Sequence, residues 1–170
     1  MERIKSFTIN HNILKPGFYI SRKDGEIVTY DLRTRKPNAG DYMSNSAMHS
    51  VEHMFATCVR NSEIADDVVY FGPMGCQTGF YLVVRDVEPG KVFEITKEVL
   101  KQILEYDGPV FGASAIECGH NYTYCHFISP FLLSYYYIFS PRLLWISKLH
   151  ICLALKYLKI CTALLLCLVK

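Results

Sequence analysis

The clearest structural signal in the chain is GFYISRKDGEIVTYDL, residues 17–32, in which two runs rich in aromatic and β-branched residues flank a turn signal. Asp24-Gly25 is a dipeptide typical of the two-residue loop of a β-hairpin. The runs on either side are therefore predicted to be two antiparallel strands joined by a tight turn.

Four further elements are predicted downstream of this hairpin. A Ser/Asn cluster at residues 44–46 offers helix caps, and apolar residues then recur at helical spacing, which predicts a buried helix over residues 46–60. Residues 91–106 carry an apolar stripe opposite charged residues, the pattern of a surface helix. Strands are predicted through residues 68–70 and 80–87. A chain of 170 residues has the length of one domain.

The acidic residues are confined to one part of the chain. All 16 lie at or before Glu117, and up to Cys118 they outnumber 13 basic residues, so this part has a net charge of −3. Because the basic residues form no stripe, nucleic-acid binding is not expected. No cationic stretch followed by an apolar run opens the chain, and the seven cysteines are irregularly spaced. We therefore expect a cytoplasmic protein with reduced thiols.

The chain changes character at residue 120, which sets a predicted boundary between a catalytic domain, residues 1–119, and an atypical apolar tail, residues 120–170. The tail has no acidic residue and is rich in Tyr and Leu. Its window 127–146 is long enough to cross about 30 Å of hydrocarbon, but two prolines and Arg142 interrupt it. A membrane span is therefore less favoured than an aberrant tail, such as one produced by out-of-frame translation.

The most informative motif is HSVEH, residues 49–53, because His49 and His53 are one helical turn apart and can bind a single divalent ion. Some metallopeptidases share the H-x-x-E-H order, so the motif specifies a metal better than a reaction. The alternative is a pair of polar surface histidines. A catalytic ion usually has a third protein ligand. Cys118 and Glu117 are both candidates, a core position for Cys118 is a further alternative, and sequence spacing does not separate them.

A second candidate group is Cys76, which follows the Gly-rich residues 72–75. A thiol on such a bend near a cation can have a lowered pKa and can carry protons at neutral pH. The alternative is a buried, inert thiol. Cys58, on the apolar stripe of the predicted helix, fits that inert role better.

Together these residues resemble the successive motifs of the S-ribosylhomocysteine lyase family, also called LuxS. The resemblance covers residues 1–119, and the stretches that carry it are 7–11, 31–33 with 36–38, 49–53, 72–82 and 117–119. It implies an α+β fold, in which an antiparallel β-sheet packs against α-helices, and a homodimer with two active sites at its interface. It also implies cleavage of a small molecule, S-ribosylhomocysteine, by carbonyl migration and β-elimination. The products would be homocysteine and 4,5-dihydroxy-2,3-pentanedione, the autoinducer-2 precursor.

The resemblance further implies a role for each site residue. The ligands of an Fe²⁺ ion, for which Zn²⁺ or Co²⁺ can substitute, match His49, His53 and Cys118. Cys76 matches the cysteine that moves protons between adjacent sugar carbons, and Glu52 matches the glutamate that acts as acid and base at the oxygens and in the elimination. Residues that complete the pocket from the neighbouring subunit match Ser6, Phe7, His11 and Arg33.

The C-terminal part departs from the family pattern. The family continues with an amphipathic helix that packs against the sheet, and residues 121–170 do not resemble it. Losing such a helix would expose apolar surface at a cost of roughly 25 cal/mol per Å². Two alternatives to the lyase therefore stay open, an H-x-x-E-H metallopeptidase and an inactive or membrane-associated protein with a vestigial metal site.

Overall fold

The computed structural model describes residue 4 and residues 7–120. The predicted pocket residue Ser6 and the tail from residue 121 onward lie outside the described residues. Within them the chain forms four strands, two α-helices and a short 3-10 helix, Ala65–Asp67. The strands are β1 (Gly17–Asp24), β2 (Ile27–Arg33), β3 (Val68–Pro73) and β4 (Gly79–Arg85), and the helices are α1 (Asn45–Val59) and α2 (Pro89–Glu105).

The four strands form one antiparallel sheet in the order β1-β2-β4-β3. The central strands β2 and β4 alternate between two faces, as the period of a strand requires. Tyr30 and Leu32 of β2 and Leu82 and Val84 of β4 are buried in one hydrophobic core with both helices. The predicted α+β architecture, an antiparallel sheet packed against helices in a single domain, is confirmed.

The hairpin between β1 and β2 is confirmed, but its predicted loop is wrong by one residue. Asp24 pairs with Ile27, so the loop is Gly25-Glu26 rather than Asp24-Gly25. Gly25 has a φ of 61°, and a tight hairpin loop with glycine at its first position accepts this conformation without strain. Asp24 therefore stays in the strand.

Helix α1 begins where the Ser/Asn cluster predicts. The Ser44 side chain accepts a hydrogen bond from the backbone N–H of Ala47 at 3.2 Å and so caps the first turn. Met48, Val51 and Phe55 of the apolar stripe are buried. The helix packs against α2 and β3 on that side and leaves a less buried face for polar residues.

Helix α2 begins two residues before the predicted start. Glu88 caps it by accepting a hydrogen bond from the Lys91 backbone at 3.0 Å, and Pro89 occupies the first turn, where its missing N–H costs nothing. The helix ends at Glu105, one residue before the predicted end. Neither helix in residues 4 and 7–120 has the length and apolarity needed to cross a bilayer.

Candidate active site

Helix α1 and the segment around Cys118 bring three potential metal ligands together. One ligand atom from each of His49, His53 and Cys118 lies within 4.8 Å of the others. The Sγ atom of Cys118 is 3.3 Å from His49 Nε2, and the two imidazole rings are 4.8 Å apart between centroids. The helical spacing of four residues places both rings on one face of α1.

The three side chains fit a divalent metal ion. Metal–nitrogen bonds of about 2.0–2.1 Å and metal–sulfur bonds of about 2.3 Å put tetrahedral N and S ligands roughly 3.5 Å apart, close to the observed 3.3 Å between His49 and Cys118. The Nδ1 atom of His53 is 2.9 Å from the Phe111 carbonyl oxygen. When Nδ1–H donates there, Nε2 keeps its lone pair for a metal, as is usual for metal-binding histidines.

Gly112 allows the chain to approach His53 closely. Its φ of +64° is unfavourable for residues with a side chain, and a Cβ atom there would lie 3.2 Å from His53 Nδ1. The peptide that holds the imidazole of His53 in place therefore depends on a glycine at this position.

The charge state of the cluster also suits a metal site. Burial lowers the pKa of His49, and His53 and His120 add to this effect while Glu52 opposes it. The imidazole of His49 is therefore neutral near pH 7, as a ligand must be. The backbone N–H of His120 lies 3.4 Å from Cys118 Sγ.

Glu117, the rival third ligand, is engaged elsewhere. Its carboxylate accepts a hydrogen bond from the Ser114 hydroxyl at 2.6 Å. Cys118 is half-buried rather than part of the core, and its sulfur contacts His49 and completes the group of three potential ligands.

Cys76 lies on the tight loop between β3 and β4. The backbone of Met74 bonds to Gly79 and that of Gln77 to Met74, each at 2.9 Å, and Gln77 has a φ of 61°. The Gln77 amide donates to Asn45 at the start of α1 at 2.8 Å. Asn45 precedes His49 by four residues, or about 6 Å of helix, so Gln77 ties the thiol loop to the helix that carries the two histidines.

The exposed thiol of Cys76 has two polar partners. Its Sγ is 3.0 Å from the Thr78 hydroxyl and 3.7 Å from Arg33 Nη1. Burial alone would raise the pKa of Cys76, but the hydrogen bonds of Thr78 and the charge of Arg33 outweigh it, so the pKa is lowered. The expected proton carrier is therefore ionised more readily than an ordinary cysteine.

Arg33 is the buried centre of this arrangement. It lies on the face of β2 opposite the core, donates to Asp31 at 2.5 Å and to the Thr78 hydroxyl at 2.6 Å, and is 2% exposed. Burial acts to lower the pKa of Arg33, but Asp31 and then Cys76 raise it, so the guanidinium stays charged.

The other predicted pocket residues lie on the N-terminal segment. Phe7 is 65% exposed. The His11 imidazole is 2.9 Å from the carbonyl of Ile9. Burial raises the pKa of Asp31 while Arg33 and His11 act against it, which places His11 near the buried ion pair. Arg33 thus contacts Cys76 directly, and His11 is linked to this pair through its electrostatic effect on Asp31.

Comparison with known proteins agrees with this geometry. The model of the S-ribosylhomocysteinase (LuxS) family matches residues 4–126. The chain belongs to the LuxS family. Three relatives named S-ribosylhomocysteine lyase come from Clostridium beijerinckii, Finegoldia magna and Borreliella burgdorferi. The first is 46% identical over 126 residues, which are 71% of this chain and 79% of the relative. The second is 44% identical over 128 residues, which are 72% of this chain and 81% of the relative. The third is 42% identical over 126 residues, which are 71% of this chain and 80% of the relative.

The match to the LuxS family includes every described site residue. It begins at residue 4 and continues to residue 126, past the predicted boundary at residue 119. Members of this family depend on a metal, and the cluster of His49, His53 and Cys118 is a candidate site for it.

Sequence reasoning missed three supporting residues. Thr78 and Asp31 lie within the matched stretches 72–82 and 31–33, where the resemblance assigns them no role, and Gly112 lies outside those stretches. Asp31 and Arg33 are two residues apart on a strand, so their shared face could have been recognised. The signal for Thr78 was weaker, because its contact with Arg33 spans 45 positions.

Proposed function

We propose that this chain cleaves S-ribosyl-L-homocysteine to L-homocysteine and 4,5-dihydroxy-2,3-pentanedione. One observation carries the proposal beyond family membership. An exposed thiol with a lowered pKa, that of Cys76, occurs in the same fold as a three-ligand metal cluster, and the loop that carries it is hydrogen-bonded through Gln77 to Asn45, on the helix that carries His49. This reaction needs both, because protons must leave carbon atoms next to a carbonyl and the resulting charge must be stabilised.

The metal would be held by His49, His53 and Cys118. Mixed imidazole and thiolate ligands suit Fe²⁺, and Zn²⁺ or Co²⁺ would fit the same donors. When bound, such an ion supplies a Lewis acid that lowers the energy of negative charge on the substrate's carbonyl oxygen. With three protein ligands, one position stays available to the substrate.

Two residues would move the protons. Cys76 Sγ takes a proton from one sugar carbon and returns it to its neighbour, so that the carbonyl migrates along the chain until it reaches the third carbon. Glu52, half-buried on α1 between the two histidines, transfers protons at the oxygens. Removal of the proton at the fourth carbon then expels homocysteine by β-elimination, because the leaving sulfur is now β to a carbonyl.

The substrate's sugar would be bound by polar and aromatic groups near the thiol. Arg33 lies beside Cys76 and Asp31, His11 acts electrostatically on Asp31, and Phe7 presents an exposed ring on the N-terminal segment. Ser6 is assigned to the same pocket by its match to the family motif.

Replacing Cys76 tests this function directly. The Cys76→Ala variant should release no homocysteine thiol from S-ribosylhomocysteine, because the proton carrier is gone, and should keep its full metal content. Thiol release is followed with a chromogenic disulfide and metal by atomic emission. Retained thiol release by the variant would refute the proposed base.

The same variant separates the lyase from a metallopeptidase. A peptidase would use Glu52 to activate water and would need no thiol, so Cys76→Ala would leave peptide hydrolysis intact. The hydrogen bonds that Arg33 and Thr78 direct at Cys76 favour the lyase, because a peptidase has no use for a thiol prepared in this way.

A homodimer is proposed for the native state. Apolar side chains that are at least 37% exposed cluster on the N-terminal segment and β1, and they include Phe7, Ile9, Ile13 and Tyr19. The last three of these line a cleft of about 320 Å³. Exposed apolar surface of this kind favours a protein interface, and light scattering should give twice the chain mass. The monomer mass would contradict it.

The cellular setting is proposed on the chemistry of the thiols. Cys58, Cys76 and Cys118 are free in the described part of the chain, as in a reducing compartment, so we place the protein in the cytoplasm. There the reaction would link methionine metabolism to synthesis of an autoinducer used in quorum sensing.

The tail is proposed to be a frame-shifted replacement of the family's C-terminal helix, with residues 1–119 as the catalytic domain. The absence of any acidic residue after Glu117 supports this proposal. Sequencing the coding region around codon 120 tests it, and an intact reading frame there would exclude a frameshift.

A further inference from the structure

Thr78 lies between the two charged partners of the thiol loop. Its hydroxyl is 2.6 Å from Arg33 Nη1 and 3.0 Å from Cys76 Sγ. A guanidinium has donors only, so Arg33 must donate the first bond and the hydroxyl oxygen must accept it. The hydroxyl hydrogen is then left to point at Cys76, where it stabilises a thiolate rather than a thiol.

The position of Thr78 is determined by its backbone. Its carbonyl accepts hydrogen bonds from the backbone N–H groups of Thr34 at 2.9 Å and Arg35 at 3.0 Å. The Thr34 hydroxyl adds a third bond at 3.2 Å. Thr78 is 1% exposed, and its β-branched side chain has restricted χ1 freedom. The hydroxyl is therefore held in place before any substrate arrives.

The neighbouring residue Gly79 makes this close approach possible. A Cβ atom at Gly79 would lie 2.5 Å from the Leu32 carbonyl oxygen and 3.1 Å from Arg33 Cα. With no side chain at this position, β4 can lie against β2 so that Thr78 reaches the guanidinium of Arg33.

We propose that Thr78 is a positioning residue whose hydroxyl, oriented by Arg33, holds Cys76 as a thiolate aimed out of the loop. The inference rests on the proposed function, because it explains how Cys76, the proposed proton carrier, is kept ionised. Among the described residues, the charged and titratable groups that act on Cys76 are Arg33 from β2 and Tyr81 from β4, while Asp31 pairs with Arg33 and is in turn affected by His11 from the N-terminal segment.

The test compares two substitutions in the full-length chain. Thr78→Val keeps the shape and removes the hydroxyl, and Thr78→Ser keeps the hydroxyl. The alkylation rate of Cys76 by iodoacetamide is measured against pH, with the modified peptide identified by mass spectrometry. Hydrogen bonds to ionised groups are strong, so Thr78→Val should raise the pH midpoint of the Cys76 alkylation profile by about 1 unit. At a pH below that midpoint, the thiolate fraction would be about tenfold smaller.

Thr78→Ser should titrate within about 0.3 units of the wild type, a twofold change in thiolate fraction. A Thr78→Val midpoint equal to that of the wild type, in a protein with the wild-type circular dichroism spectrum, overturns the inference. Should Thr78→Val fail to fold, Thr78→Ala, which adds no bulk, is judged by the same criterion.

Thiol release from S-ribosylhomocysteine is measured on the same variants. A raised midpoint with unchanged thiol release supports the role of Thr78 and overturns Cys76 as the base. An unchanged midpoint with reduced thiol release overturns the role of Thr78 and leaves Cys76 as the proposed base. The two proposals therefore fail in distinguishable ways.

Discussion

The loop that carries Cys76 and the segment that carries Cys118 use the same side chain for different chemistry. Cys118 Sγ is 3.3 Å from an imidazole nitrogen of His49, a neighbour with a lone pair to share with a metal. Cys76 Sγ is next to the hydroxyl of Thr78 and the guanidinium of Arg33, which donate hydrogen bonds and positive charge. The first environment favours metal binding and the second favours proton transfer.

Cys58 shows what the side chain does without such neighbours. It packs against the core on α1, and burial raises its pKa. The three thiols therefore differ through their partners, and residue type alone does not assign the role of a cysteine. Three substitutions measure how far the two functional environments are independent.

The largest effect is expected for Cys118→Ala. Loss of one of three protein ligands should release the metal and abolish thiol release, while the Cys76 alkylation profile stays unchanged. Metal content is measured by atomic emission after dialysis. Cys58→Ala is the matched control and should keep both metal and activity within about twofold, because a small change at a half-buried position on α1 costs stability rather than chemistry.

Full metal retention by Cys118→Ala would contradict this contrast, since Cys118 and Cys76 would then not differ in metal binding.

An intermediate effect is expected for Asp31→Asn, which removes the negative partner of Arg33. Breaking a buried ion pair typically costs about 3–5 kcal/mol, because one charge is left buried and uncompensated. Urea denaturation should therefore show a large loss of stability, and the metal cluster should retain its affinity in the folded protein.

Asp41→Asn is the control for this substitution. Its carboxylate pairs with Arg35 at 3.3 Å but is 78% exposed, so a change below about 1 kcal/mol is expected. Equal losses of unfolding free energy for the two variants would show that burial does not increase the contribution of the Asp31–Arg33 pair to stability.

The smallest effect is expected for Gly112→Ala, which acts on the metal cluster alone. The substitution strains a backbone with φ of +64° and crowds His53 Nδ1. Disturbing a hydrogen-bonding partner of a metal ligand typically lowers metal affinity about 10–100-fold. Competition with a zinc-binding dye measures it, and the alkylation of Cys76 should not change.

Gly75→Ala is the matched control for the thiol loop, because a Cβ atom there meets nothing within 4 Å. It should leave metal affinity unchanged. An affinity loss as large as that of Gly112→Ala would indicate that the two regions are mechanically coupled.

Much of the fold could be predicted because its signals are local. The cap at Ser44 and the apolar period gave the start and end of α1 to within one residue. The hairpin loop was displaced by one residue, because Asp24-Gly25 and Gly25-Glu26 both suit a turn and cross-strand pairing decides between them. The start of α2 was placed late because the cap at Glu88 precedes the amphipathic pattern.

Local patterns along the chain identify the residues that can take part in chemistry. The spacing of His49 and His53 follows from the geometry of one helix, and residues 72–76 indicate a turn that presents a thiol. These features depend on neighbours within a few positions, so local rules are enough to find them.

Contacts between groups that are distant along the chain arise from the tertiary structure. Cys118 reaches His49 across 69 positions, and Arg33 reaches Cys76 across 43. Such pairs depend on strand register and on loop paths around Gly79 and Gly112, because a shift of one residue would turn a side chain to the other face of the sheet. Spacing along the chain carries no information on these distances, and packing determines them.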